Sequence, residues 1–300
     1  MKSIHLVLIS LIFCLLYLAF KDVSEYLDAI CIALIIIVGL PHGAVDNHLL
    51  IKPLSSLPSF IFHSIYSGLL ILYLIFWFLF PIFSFIFFLI LTSYHFGEAY
   101  VRDFKLNTLP KTLLNFSTGF AFISALILLN LNEFNGFLLS QTVMEFNKGI
   151  EFNFMLFVFI GSNTLTVFLV LMQYDTIHLK LIDFMKEALS ILLLYFSFYY
   201  LDFLKSFTLF FVFWHSFDVL QLVFNFLKNE NKIFGLHHFI KLMFPNYMIS
   251  LVLGAVLFVI IKLFNIELTM TSIIFLFLAS LTLPHTVVMS LFNNSSKNEN

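Results

Sequence analysis

The feature that most constrains this chain is the recurrence of apolar runs of roughly 20 residues from one end of the sequence to the other, the length a helix needs to cross the hydrocarbon core of a bilayer. A water-soluble fold cannot bury so many such runs. In lipid every backbone N–H and C=O must find a partner within the protein, and a helix satisfies them inside one segment. The expected fold class is therefore all-α, a polytopic transmembrane helical bundle. About ten spans are expected, near residues 3–20, 27–45, 58–80, 82–101, 113–131, 154–173, 187–204, 206–227, 247–265 and 270–292. Composition agrees: 11% of the residues are charged, against about 25% in a soluble domain.

No soluble domain interrupts the spans. Residues 1–292 read as one transmembrane domain and 293–300 as a disordered polar tail. Met1-Lys2 and the apolar run to Phe20 are like a signal peptide, but Lys21, Asp22 and Val23 follow where small-x-small would stand, so the run reads as a retained first span. Pro81 separates the third and fourth spans with almost no loop, which suits a tight hairpin. The mixed segment Thr176–Glu187 suits the membrane interface. Cys14 and Cys31 lie inside apolar runs and form neither a disulfide framework nor a thiolate metal pattern. The 43 Phe residues have two readings, a biased nucleotide composition or a selected aromatic lining.

Lys and Arg in short loops set orientation. Eleven of the fifteen basic residues fall on the side of the N-terminus; Lys21, Lys148, Lys205 and Lys262 fall on the other. This bias places both termini in the cytoplasm and supports an even number of spans. A net charge of -2 gives no reason to expect a nucleic-acid partner; the expected surroundings are the lipid bilayer of a cell (inner) membrane.

Ionisable groups inside a membrane are costly, and each is a functional candidate. Four spans carry a histidine motif: Gly39-Leu-Pro-His42-Gly-Ala-Val-Asp46-Asn-His48, Ser93-Tyr-His95-Phe-Gly-Glu98, Trp214-His215-Ser-Phe-Asp218 and Leu283-Pro-His285-Thr. All four are even-numbered spans, which run in the same direction, so four imidazoles from four helices can reach similar depth. Neutral imidazole is the commonest protein ligand for Fe, Zn and Cu, and several in a water-poor site are hard to justify as packing. His42, His95, His215 and His285 are therefore the candidate metal ligands. Asp46, Glu98 and Asp218 each stand three or four residues past a histidine, a spacing that shares a helix face. They suit the role of accepting the second ring N–H; Asp46 and Glu98 also suit a proton path. His48 and His238 lie nearer the cytoplasmic interface and are alternative ligands. His5, His63 and His178 fall at span ends or in interfacial stretches.

Other chemistries leave no mark. There is no Walker loop, no Gly-rich dinucleotide fingerprint and no His-Glu-x-x-His. The tenth span lacks the lysine that a retinal Schiff base requires.

The four motifs in order, Pro41-His42-Gly43-Ala44 with Asp46, Tyr94-His95-Phe96-Gly97-Glu98, Trp214-His215-Ser216 and Leu283-Pro284-His285, resemble the membrane-bound Brp/Blh-type (bacteriorhodopsin-related-protein-like) β-carotene 15,15′-dioxygenases. The polytopic background of that family covers the whole chain. The resemblance implies cleavage of the central double bond of β-carotene by O₂ to two retinal molecules, on a non-haem Fe(II) held by histidines. Retinal is then handed to a microbial rhodopsin. It places His42, His95 and His215 on iron. One departure stands out: some members carry a second histidine one turn after Trp-His, where this chain has Val219. His285 is the candidate for the missing ligand, ahead of His238 and Asp218. A C40 hydrocarbon dissolves in the bilayer, so bilayer-facing access and an aromatic tunnel are expected, with Tyr94, Trp214 and Tyr199 as candidate lining. Two other readings remain open on the residues alone: a His-lined transporter or proton-coupled carrier, and another membrane metalloenzyme acting on a lipid or quinone.

Overall fold

The computed structural model describes residues 2–19, 24–49, 58–102, 108–139, 149–173, 181–230, 232 and 235–295. Every element among them is helical: α1 (Lys2–Ala19), α2 (Ser24–Leu34), α3 (Ser59–Leu79), α4 (Pro81–Val101), α5 (Thr108–Leu129), α6 (Leu131–Leu139), α7 (Phe152–Met172), α8 (Leu181–Tyr200), α9 (Phe203–Thr208), α10 (Phe217–Asn229), α11 (Leu236–Leu263) and α12 (Met270–Ser295). Helices stand at all ten places where spans are expected. Eight helical stretches among the described residues are long and apolar enough to cross a membrane. Residues 176–180 of the expected interfacial segment and 296–300 of the expected tail lie outside the described residues.

Helix ends follow local chemistry. Pro81 begins α4, where its missing N–H is no loss. The Phe80 N–H closes α3 on the Phe76 carbonyl at 2.7 Å. Across this corner Tyr73 Oη donates to the Ser84 carbonyl at 3.0 Å, so the expected hairpin forms. Asn265 ends α11 with φ 52°, the left-handed conformation that Asn tolerates, and Ile266 N–H bonds back to the Ile261 carbonyl at 3.0 Å.

Two stretches leave α geometry, and both lead to a motif histidine. After α2 the chain widens into a π turn over Ile35–Gly39, then tightens into 3₁₀ turns at Leu40–Gly43 and Asp46–His48. Pro41 has no N–H for the carbonyl four residues back, and its ring crowds that carbonyl. Short-range bonds take over, Ala44 N–H to the Pro41 carbonyl at 2.9 Å and His48 N–H to the Val45 carbonyl at 2.8 Å. Between α9 and α10 the chain is π-helical over Leu209–Ser216. Such bulges are rare and concentrate at functional sites.

The helices divide into two compact units. The first comprises 1–39, 93–136 and 150–218. In it α5 lies along α7 and α8, α1 along α8, and α2 along α9. Its core includes Leu114, Ala125, Leu194, Phe198, Leu209 and Val212. A Cβ on Gly39 would stand 2.6 Å from the Phe211 ring, so the two π turns meet over a residue with no side chain. The end of α4 meets α5 backbone to backbone. A Cβ on Gly97 would fall on the Asn115 carbonyl, and a Cβ on Gly119 on the Ser93 carbonyl. The positively charged Lys205 is not a loop charge. It is buried in the first turn of α9, with Nζ 2.5 Å from Asp28 Oδ1 and paired also with Asp202.

The second unit comprises 40–92, 137–149 and 219–300. Here α12 lies along α3, and α11 packs on the Leu40–Gly43 turn. On the outer sides of both units large apolar residues are exposed, such as Phe154 and Phe157 on α7 and Phe244 and Val252 on α11. Such surfaces suit lipid, not water.

Candidate metal centre

His95, near the end of α4, and His215, in the second π turn, belong to the first unit and are both buried. The Gly97–Asn115 and Gly119–Ser93 contacts fix α4 on either side of His95. His215 lies against Phe211, nearly parallel at 19° with centroids 6.1 Å apart. Phe96 packs on the His215 ring at 4.6 Å and on Phe210 at 4.9 Å. With both imidazoles confined in this way, His95 Nε2 and His215 Nε2 are 3.1 Å apart.

That spacing tests whether a metal fits. With imidazole–metal bonds of about 2.1 Å, two ligands stand about 3.0 Å apart at a right angle and about 3.4 Å apart at the tetrahedral angle. The observed pair lies between these limits. The donors are two buried ring nitrogens, the ligand chemistry that borderline first-row metals favour. The same spacing also admits one N–H···N hydrogen bond, depending on the tautomers.

In the second unit the Leu40–Gly43 turn carries His42, which is buried and meets His285 of α12 edge-on, with ring centroids 4.6 Å apart and an angle of 89°. His285 Nδ1 lies 2.9 and 3.0 Å from the two oxygens of Asp46, and Tyr66 Oη of α3 donates to Asp46 Oδ2 at 3.1 Å. A carboxylate held in this way keeps the proton on Nδ1 and leaves Nε2 as the electron-pair donor. Gly43 makes room for the pair, since a Cβ there would stand 3.3 Å from His285 Nδ1. Asn246 of α11 anchors the turn by donating to the Ala44 carbonyl at 2.8 Å and to Asn47 Oδ1 at 3.0 Å.

Two of the three acids have partners on other helices, and Glu98 has one on its own. Asp46, placed beside His42 by its spacing, serves His285. Glu98 accepts from Tyr94 Oη at 3.2 Å. Asp218 pairs with Arg102 Nη2 at 3.4 Å. Val219 is fully buried. His48 and His238 are half-buried, and His237 is exposed. Of the three candidate lining aromatics, Trp214 borders a cavity of about 500 Å³ in the first unit; Tyr94 and Tyr199 do not, and Tyr199 is 69% exposed on α8. Spacing on a single helix does not find Tyr66, Asn246 or the close approach at Gly97 and Gly119. The last has a sequence signal on one side, since Ser93-x-x-x-Gly97 matches the small-residue spacing of closely packed membrane helices.

Helices of membrane-spanning length carrying buried, converging imidazoles define a polytopic membrane protein with a centre suited to a metal ion. Residues 33–293 match the family model of β-carotene 15,15′-dioxygenase, and the chain belongs to that family. No curated protein and no solved structure matches it.

Proposed function

We propose that this chain splits the central double bond of β-carotene with O₂. The carbon–carbon bond breaks and each carbon gains one oxygen atom, giving two molecules of retinal for a rhodopsin in the same membrane. Family membership supports the reaction, and the 3.1 Å approach of the His95 and His215 Nε2 atoms is the observation that carries the site. We assign Fe(II) to His42, His95 and His215, with His285 as a fourth ligand in place of the histidine that Val219 replaces. Iron(II) held in this way supplies the activation of O₂. The protein's own groups do the rest. Asp46 orients His285 and holds its Nδ1 proton, and Tyr66 orients Asp46. The aromatic walls around Trp214 bind a polyene and exclude water.

The test is expression of the chain in a β-carotene-producing bacterial host, followed by pigment extraction and chromatography. The expected result is loss of orange colour with retinal appearing, and neither change for His95→Ala. Retained β-carotene without retinal, from well-expressed and iron-replete protein, refutes the reaction. It would direct attention to another carotenoid or to a carrier function.

A further inference from the structure

The cavity in the first unit links a lipid-facing surface to His215. Its outer rim carries Val167 of α7 and Leu192 of α8, both among the cavity-lining residues and both exposed, at 50% and 63%. Its inner wall carries Phe210, Trp214 and His215, all buried. Along α8 it extends from Phe184 to Tyr195, on the order of 16 Å at the helical rise. At about 500 Å³ it falls within the ordinary range for a small-molecule site. One polar contact crosses between the two rim helices, Tyr195 Oη donating to Asn163 Oδ1 at 3.0 Å.

We propose that the seam between α7 and α8 is the portal through which the polyene leaves the bilayer, and that the cavity behind it holds one half of the molecule with its middle at His215. The Tyr195–Asn163 bond is the latch of this portal. The inference rests on the oxygenase reading and adds its route and its occupant. A long hydrocarbon has no aqueous path to a buried centre, and this mouth opens where lipid chains lie. Phe96, Phe122, Phe184, Phe210 and Trp214 in the lining offer rings to the flat face of a conjugated chain, while Arg102, Glu187 and Asp218 also border the cavity. A saturated lipid chain is the competing occupant.

The test uses the full chain in lipid nanodiscs. Ala188 lines the cavity on α8, and Ala188→Phe places a ring in it. Val167→Phe narrows the exposed rim, where a larger side chain is accommodated at the lipid face. Both variants are expected to lower the rate of retinal formation at low β-carotene by tenfold or more, with bound iron and melting temperature unchanged. Binding is read separately. The chain has two Trp residues, so Trp77→Phe leaves Trp214 as the reporter on the inner wall. β-Carotene is expected to relieve quenching of Trp214 by lipid brominated on its acyl chains, and Ala188→Phe to abolish that relief. Wild-type rates in both folded, iron-loaded variants overturn the portal and leave the oxygenase standing. Brominated-lipid quenching that β-carotene does not relieve shows a lipid-filled cavity and also overturns it. If the wild type makes no retinal, the oxygenase reading fails, and the fluorescence experiment still decides whether a polyene enters here.

Discussion

Replacing Gly97 by Ala tests how the fold holds His95. A Cβ at this position falls on the Asn115 carbonyl, a backbone atom that no rotamer change can move. Overpacking of this kind costs about 1–3 kcal/mol, and a rigid obstacle argues for the upper end. The better helix propensity of Ala returns about 1 kcal/mol. The net loss is about 2 kcal/mol, roughly thirtyfold in the equilibrium for docking the end of α4 on α5. Gly161→Ala on α7 is the control. Nothing lies within 4 Å of a Cβ there, so only the propensity gain remains. Because Gly97 and Gly119 clamp the same pair of helices, the second substitution should cost less once the first has parted them. Thermal unfolding in detergent, followed by far-UV circular dichroism, reads the stability, and bound iron per chain reads the position of His95. Gly97→Ala should melt several degrees lower than Gly161→Ala and bind less iron. Equal melting temperatures and equal iron would refute the argument that this contact sets the site.

Three further outcomes are expected. His215→Ala should retain the helical circular-dichroism signal while losing most of the bound iron and all retinal formation; full iron loading would remove His215 from the ligand set. Asp46→Asn keeps the shape but loses the charge facing His285, so iron(II) affinity, measured anaerobically by chelator competition, should fall about tenfold or more. Tyr66→Phe should cause a smaller fall in the same direction, and an unchanged affinity in Asp46→Asn would show that His285 is not held for a metal. Lys205→Met leaves Asp28 and Asp202 without their cation. Breaking a buried pair in this way costs about 3–5 kcal/mol, and the partial exposure of Asp28, 44%, argues for the lower end. Asp28→Asn should be milder because Asp202 remains, and equal melting temperatures for the two variants would contradict the network.

The helices were legible because the bilayer imposes a length rule that survives ignorance of every neighbour, though eight described stretches, against about ten expected, are long and apolar enough to cross; Pro81 could be read as a corner because proline loses nothing at a helix start. The four histidines stand out in the sequence for a similar reason: an imidazole in an apolar run needs a purpose wherever it sits. The acid partners were not legible in the same way, and the reason is geometric. Matching Asp46 to His42, or Asp218 to His215, assumes a regular α-helix between them. Around His42 the chain is 3₁₀, and at His215 it is π, so neither pair need share a face. Asp46 turns to His285, 239 residues away, and Asp218 to Arg102. The breaks in helical regularity thus do two things at once. They bring His42 and His215 out of the repeating pattern of their helices, and beside the first of them Asp46 meets a partner on another helix. Only the first π turn has a proline close by to announce it. The second follows a buried, capped turn, with Asp202 accepting from the Lys205 N–H, and Phe211 within it is admitted by the missing side chain of Gly39. Its cause is therefore shared between segments far apart in the chain, and a reading that moves along one helix at a time cannot recover it.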